Sequence, residues 1–88
     1  MSSLTIKICG ITSFMDAQMA TSFGATHLGF ILYEKSPRHI DRYQAGEILG
    51  RVQPATVLSV AVMVNPDPSF LNEVKSCGIV TYIDFTAA

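Results

Sequence analysis

A lysine and a cysteine lie two residues apart in the stretch KICGIT, residues 7–12. If this stretch is a strand, side-chain alternation puts Lys7 and Cys9 on one face and Ile6 and Ile8 on the other. A cation beside a thiol favours the thiolate, which can act as a base or a nucleophile. Free cysteines are also among the most buried residue types, so a passive packing role is the alternative. Residue types alone leave both roles open for Cys9.

A second candidate site is the basic stretch YEKSPRHI, residues 33–40, which contains Lys35, Arg38 and His39. The planar guanidinium of arginine matches a carboxylate or a phosphate, and it can bind either through two hydrogen bonds. A loop with a few basic residues is more often just solvated. The stretch is therefore a candidate anion-binding loop, with Arg38 as its best-suited side chain.

The elements that position these residues follow a repeating pattern of strand, turn and helix. Short runs rich in apolar and β-branched residues predict buried parallel strands at residues 6–9, 28–32 and 57–64. Each run precedes a helical pattern with an N-cap signal, and a glycine follows each helical pattern. The N-cap residues are Ser13, Asp41 and Asp67, and the closing glycines are Gly24, Gly50 and Gly78. The sequence therefore predicts three βα units, with residues 81–85 as a fourth strand.

Repeated βα units build either an open doubly wound sheet or a closed (β/α)8 barrel. The sequence contains neither the glycine-rich dinucleotide fingerprint nor a phosphate-binding P-loop, which weakens the simplest doubly wound interpretations. Eight units of about 26 residues would need roughly 210 residues, close to a small complete barrel. The 88 residues thus predict one domain, residues 1–88; in a barrel they would hold about three and a half of the eight units. Barrel active sites lie at the carboxyl ends of the strands, where Cys9 and residues 33–40 fall.

Composition and charge exclude several classes of partner. The net charge of −1 offers no basic face for nucleic acid, and no apolar run approaches the roughly 18 residues of a membrane span. Cys9 and Cys77 are not arranged as a C-x-x-C pair, so both are interpreted as free thiols in a reducing compartment. We therefore expect a cytoplasmic protein that binds neither nucleic acid nor membrane.

Three blocks of sequence resemble the N-terminal part of the phosphoribosylanthranilate isomerase family of tryptophan biosynthesis. They are KICGIT at residues 7–12, GATHLGFILYEKSPR at 24–38 and VMVN at 62–65, and their spacing matches as well. The resemblance covers about residues 5–78, and residues 79–88 form a divergent tail. It implies a (β/α)8 barrel enzyme without cofactor or metal. Such an enzyme converts the phosphorylated small molecule N-(5-phosphoribosyl)anthranilate into its 1-deoxyribulose isomer by an Amadori rearrangement, an aldose–ketose isomerisation.

The same resemblance assigns roles to two residues. Cys9 matches the family's general base, and Arg38 matches the arginine that binds the anthranilate carboxylate. The family's general acid and phosphate site belong to the second half of the barrel, so no residue here is assigned to them, and Asp84 is not the acid. We therefore expect a truncated chain, inactive by itself, that needs a C-terminal half barrel or a second copy of itself. The alternative is a non-catalytic remnant that self-associates or binds a partner through open sheet edges.

Overall fold

The computed structural model contains four parallel strands in one sheet, joined by three helices. It describes residues 4–53 and 56–79, and the backbone of 81–85. The elements are β1 (Lys7–Cys9), α1 (Phe14–Ser22), β2 (His27–Ile31), α2 (Arg42–Arg51), β3 (Leu58–Val64), α3 (Pro68–Ser76) and β4 (Thr81–Phe85). The fourth strand, predicted at residues 81–85, is thereby confirmed.

The strand order distinguishes the two architectures that repeated βα units allow. The strands lie in chain order, β1-β2-β3-β4, and each pairs in parallel with the next. A doubly wound sheet reverses its strand order at a switch point, whereas a (β/α)8 barrel adds strands in one direction. All three helices contribute to one hydrophobic cluster, so they cover the same face of the sheet. The structure therefore confirms the predicted partial barrel.

Each helix begins at the residue that the sequence predicts. The side chains of Ser13, Asp41 and Asp67 each accept a hydrogen bond from the backbone N–H three residues later, at 3.1, 2.8 and 2.9 Å. These bonds satisfy N–H groups that have no partner within the helix. Pro68 follows Asp67 at the first helical turn, where its missing N–H costs nothing. Local sequence thus sets where each strand-to-helix loop ends.

Two of the three predicted helix-closing glycines behave as expected. Gly24 and Gly78 follow α1 and α3 with φ of 103° and 93°, a region that glycine occupies without strain. The prediction for Gly50 is wrong, because α2 continues through it to Arg51. The helix ends instead at Val52, which turns to an extended conformation and is 2% exposed. Burial of the Val52 side chain, rather than a left-handed glycine, terminates α2.

The hydrophobic core lies between the sheet and the helices. Leu28 and Phe30 of β2 are fully buried there, and Ala61 and Met63 of β3 lie beside them. The helices cover these strand residues with a shared set of small and branched side chains, namely Ala17, Ala45, Ile48 and Val74. β2 and β3 are the inner strands of the sheet, since each has a paired strand on both sides. Within the described residues, no helix is long and apolar enough to cross a membrane.

Candidate active site at the carboxyl ends of β1 and β2

The register between β1 and β2 determines which way Cys9 faces. Ile8 pairs with Leu28, whose side chain is buried under the helices, and Cys9 pairs with Gly29. Because side chains alternate along strands, Cys9 and Gly29 lie on the face of the sheet opposite the helices. In a closed barrel this face would line the interior. The register therefore agrees with the alternation predicted for residues 6–9. The predicted burial of this strand is wrong, because Lys7, Ile8 and Cys9 are all exposed at an edge of the described sheet.

The Cys9 thiol lies directly against Gly29 and leaves no room there for a side chain. A Cβ atom built on Gly29 would lie 2.8 Å from Cys9 Sγ and 3.1 Å from Cys9 Cα. The Gly29 carbonyl accepts hydrogen bonds from the backbone N–H groups of Gly10 (3.0 Å) and Ile11 (3.1 Å). These bonds tie the turn after β1 to β2. Cys9 is exposed, so a reactant could reach its thiol.

The loop that carries Arg38 folds back onto the end of β2. The backbone N–H of Ile40 donates to the Ile31 carbonyl at 3.0 Å, and the Ile40 side chain is buried. Within the loop, the Arg38 backbone N–H donates to Ser36 Oγ at 3.2 Å. The buried Ile40 therefore anchors the loop while leaving Arg38 exposed on it.

Arg38 reaches across to the turn that follows Cys9. A Cβ atom on Gly10 would lie 2.7 Å from Arg38 Cδ and 2.8 Å from Nη1, so the arginine side chain rests on the Gly10 backbone. Gly10 has φ of 84°, which a residue with a side chain rarely adopts. The fold thus brings the base candidate and the anion-binding candidate to adjacent positions at one edge of the sheet.

The other basic residues of this loop do not join Cys9. Lys35 lies in a separate groove of about 260 Å³, which it shares with Tyr33, Met63 and Phe70. His39 is exposed and forms a backbone bridge with Ile31. Of the three basic residues of the predicted anion-binding loop, Arg38 is the one that contacts the turn after Cys9.

Three further positions at this edge were missed by residue-type reasoning. Gly10 and Gly29 provide the space that Arg38 and Cys9 occupy, and a glycine inside a strand pattern is a recognised signal of close approach. Asn65, directly after β3, has φ of 46°. Asparagine tolerates this left-handed region better than most residues, so a polar side chain is placed at the end of the third strand.

The described side chains include no group of three or more His, Cys, Asp or Glu residues arranged to hold a metal ion. The chemistry available at the edge is that of a thiol, a guanidinium and backbone groups. A thiolate can remove a proton, and a guanidinium can bind a carboxylate through two hydrogen bonds. The arrangement therefore suits proton transfer on a small anionic molecule.

An apolar groove lies along the outer side of β1, and Cys9 and Gly10 also line it. Ile6 and Ile8 of the first segment line it together with Met19 and Phe23 at the end of α1, and its volume is about 340 Å³. Ile8, Met19 and Phe23 are 41%, 56% and 83% exposed. In the part of the chain that is described, β1 pairs on one side only. The groove and the free strand edge together form an unpartnered apolar margin, called the β1 margin below.

Comparisons with known proteins identify one family of relatives. No protein-family model matches the chain. An N-(5'-phosphoribosyl)anthranilate isomerase from a Marinomonas species is 44% identical over 71 residues, which are 81% of this chain and 34% of the relative. The chain thus spans about a third of the length of the curated relatives that it matches.

Two solved structures have the same fold. One is a phosphoribosyl anthranilate isomerase in complex with reduced 1-(o-carboxyphenylamino)-1-deoxyribulose 5-phosphate, with a TM-score of 0.88 and 32% identity over 98% of this chain and 44% of that one. The other is a monomeric form of the dimeric isomerase from Thermotoga maritima, with a TM-score of 0.85 and 32% identity. That match covers 96% of this chain and 42% of the Thermotoga chain.

Proposed function

Because the chain belongs by sequence and fold to the phosphoribosylanthranilate isomerase family, we propose that it supplies the general-base half of that enzyme's active site. The observation that carries this proposal is the contact of Arg38 with the turn directly after Cys9. The two residues that the family resemblance singles out are 29 positions apart in sequence, yet both lie at the carboxyl edge of β1 and β2. The activity proposed is the cofactor-free Amadori rearrangement of tryptophan biosynthesis, in the cytoplasm.

In the proposed reaction, the Cys9 thiolate removes the proton from C2 of the Schiff base that forms when the ribose ring opens. The thiolate becomes a neutral thiol by taking up this proton, and the electron pair of the broken C–H bond forms the C1–C2 double bond of the enamine that leads to the 1-deoxyribulose product. Arg38 binds the anthranilate carboxylate through two hydrogen bonds, which fixes the substrate over Cys9. A ligand of a related isomerase is a carboxyphenylamino deoxyribulose phosphate, and its carboxylate is the group that Arg38 would bind.

Ring opening also requires a general acid and a phosphate site, and no residue of the 88 is assigned to either role. A general acid alone contributes on the order of 10²- to 10⁴-fold to the rate. We therefore propose that the chain by itself has negligible turnover and gains activity only with the rest of a barrel. The assignment of residues 5–78 to the family and 79–88 to a divergent tail is part of the same proposal.

The test follows the loss of phosphoribosylanthranilate fluorescence with the purified chain, alone and mixed with the complementary part of the Marinomonas relative. We expect turnover only in the mixture. Cys9→Ala should abolish it, because no other thiol lies on that face. Cys77→Ala is the matched control and should retain it, since Cys77 caps α3 on the opposite layer of the fold. Arg38→Ala should raise KM for the substrate.

Three results would contradict the proposal. A mixture that forms a stable complex but has no activity excludes the base role of Cys9 in this chain. Measurable isomerisation by the chain alone contradicts the stated need for a separate acid and phosphate site. Wild-type turnover in a mixture that contains the Cys9→Ala chain would show that another residue is the base.

A second candidate function is favoured by the β1 margin. Its exposed apolar side chains beside an unpaired strand are a typical surface for association with another chain. In this alternative the chain is a non-catalytic partial barrel that pairs with a second copy, β1 of one against β4 of the other. A related isomerase is dimeric, which is a property of that protein. Sedimentation at micromolar concentration tests the alternative, and a monomer there contradicts it.

A further inference from the structure

Gly29 occupies a position where its lack of a side chain has a direct consequence for Cys9. The nearest atoms to a Cβ on Gly29 would all belong to Cys9, with Sγ at 2.8 Å, Cα at 3.1 Å and Cβ at 3.4 Å. Separations under 3.0 Å are essentially never seen for real Cβ atoms, so alanine at this position would force something to shift. The thiol therefore occupies the space that a side chain on residue 29 would need.

The backbone of Gly29 does not itself require glycine. Its φ is not among the positive values that the structure contains at Gly10, Gly24 and Gly78. A glycine in a strand interior also weakens the strand, because it packs no side chain and loses more conformational freedom on folding. The structural reason for a glycine here is the space taken by Cys9.

The strand that carries Cys9 cannot easily move away to make room. The Gly29 carbonyl is bonded to the N–H groups of Gly10 and Ile11, directly after Cys9. Moving the end of β1 away from β2 would break both hydrogen bonds. A side chain on residue 29 would therefore be accommodated by rotation of the Cys9 side chain, which displaces Sγ.

We propose that Gly29 is a positioning residue. Because it has no side chain, it leaves a space on β2, here called the slot, that the Cys9 thiol occupies, and this holds the thiol in its reactive place. This proposal rests on the proposed function, since it takes Cys9 as the base. A displacement of about 1 Å in a reacting group can lower a rate on the order of 10²-fold. Filling the slot with a side chain would therefore slow the chemical step, and substrate binding through Arg38 would be left intact.

The first test measures the thiol itself and needs no substrate. The rate of alkylation of Cys9 by iodoacetamide is compared with that of Cys77 in the wild-type chain and in Gly29→Ala. We expect a changed alkylation rate at Cys9 in the variant, because its thiol is displaced from the slot, and an unchanged rate at Cys77. Gly50→Ala is the matched control, since a Cβ there meets nothing within 4 Å. An unchanged Cys9 rate in Gly29→Ala overturns the proposal.

The second test uses the reconstituted barrel of the preceding subsection. Gly29→Ala should lower kcat on the order of 10²-fold while KM stays at the wild-type value, because the base is displaced and the carboxylate site is not. Wild-type kcat in Gly29→Ala overturns the positioning role. If the wild-type mixture has no activity, the proposed function fails, and the alkylation rates alone decide whether Gly29 holds the thiol.

A double variant covers the case in which Gly29→Ala does not fold. Cys9→Ala removes the Sγ atom that lies nearest to the added Cβ. The thermal unfolding midpoint should therefore fall further when Gly29→Ala is made in the wild-type chain than when it is made in the Cys9→Ala chain. Equal decreases in the two backgrounds would show that the thiol does not occupy the slot, and the proposal would be wrong.

Discussion

At the scale of single residues, Asp67 shows how a helix start perturbs an ionisable group. The Phe70 backbone N–H donates to its carboxylate at 2.9 Å, and the Ser69 hydroxyl donates at 2.7 Å. Both bonds favour the charged form, and they lower the pKa of Asp67 below its ordinary value of 3.8. A carboxyl whose pKa is lower in the folded state stabilises the fold above its unfolded-state pKa. That stabilisation is lost as the pH falls through the folded-state pKa.

We predict that Asp67→Asn makes the stability of the chain less sensitive to acid. Asparagine is as good an N-cap as aspartate, so α3 should still begin at residue 67. The free energy of unfolding, measured by urea titration between about pH 6 and about pH 3, should fall less in the variant than in the wild type. Glu47→Gln, on the exposed face of α2, is the control and should keep the wild-type slope. Equal slopes for Asp67→Asn and wild type would contradict the prediction.

At the scale of elements, β2 supports both the core and the candidate site. Its Leu28 and Phe30 face the helices and are fully buried, and Gly29 between them faces Cys9. One strand with alternating side chains therefore determines the packing on one face and the position of the thiol on the other. Loss of packing at Phe30 would therefore also shift the adjacent Gly29, and with it the position of the Cys9 thiol.

We predict opposite outcomes for the same substitution at two phenylalanines. Phe30→Ala empties a fully buried position and should cost about 3–5 kcal/mol, a large part of the roughly 5–15 kcal/mol typical of a domain. Phe23→Ala, at a residue that is 83% exposed, should change the free energy of unfolding by less than about 0.5 kcal/mol. Urea titrations of both variants measure this difference. Similar losses in the two variants would contradict the core described above.

At the scale of the whole molecule, the sheet has an uncovered margin at β1. A closed barrel pairs every strand on both sides, whereas the described part of this chain pairs β1 on one side only. The apolar groove of the β1 margin then has no helix or strand over it. Unpaired edges and exposed apolar surface both promote association, so this margin is where we expect another chain to bind.

We predict that two exposed methionines of α1 contribute differently to self-association. Met19 lines the groove and is 56% exposed, whereas Met15 lies outside the groove and is 73% exposed. Met19→Lys should weaken association measured by sedimentation equilibrium, because a charge would have to be buried at the contact. Met15→Lys should leave the association constant at the wild-type value. Equal weakening by both substitutions would place the contact elsewhere.

The sequence by itself determined the elements and their class, because those depend on local chemistry. N-cap side chains such as Asp41 bond backbone groups three residues away, and apolar runs report burial, so helix starts and strands could be predicted. Gly50 was predicted wrongly because the end of α2 depends on Val52, whose burial is a property of the packed fold. The family resemblance also pointed to Cys9 and Arg38 without showing that Arg38 rests on Gly10, directly after Cys9.

Only the tertiary structure decided the geometry of the site. Strand register places Gly29 beside Cys9, and the return of the loop at Ile40 places Arg38 on Gly10. Neither contact follows from residue types, since both join segments that are about 20 or more residues apart and depend on pairing in space. The same is true of the β1 margin, which exists because nothing in the described chain pairs with the outer edge of β1. Local interactions determine the helices and strands of a βα fold, and long-range packing determines which side chains these elements bring into contact.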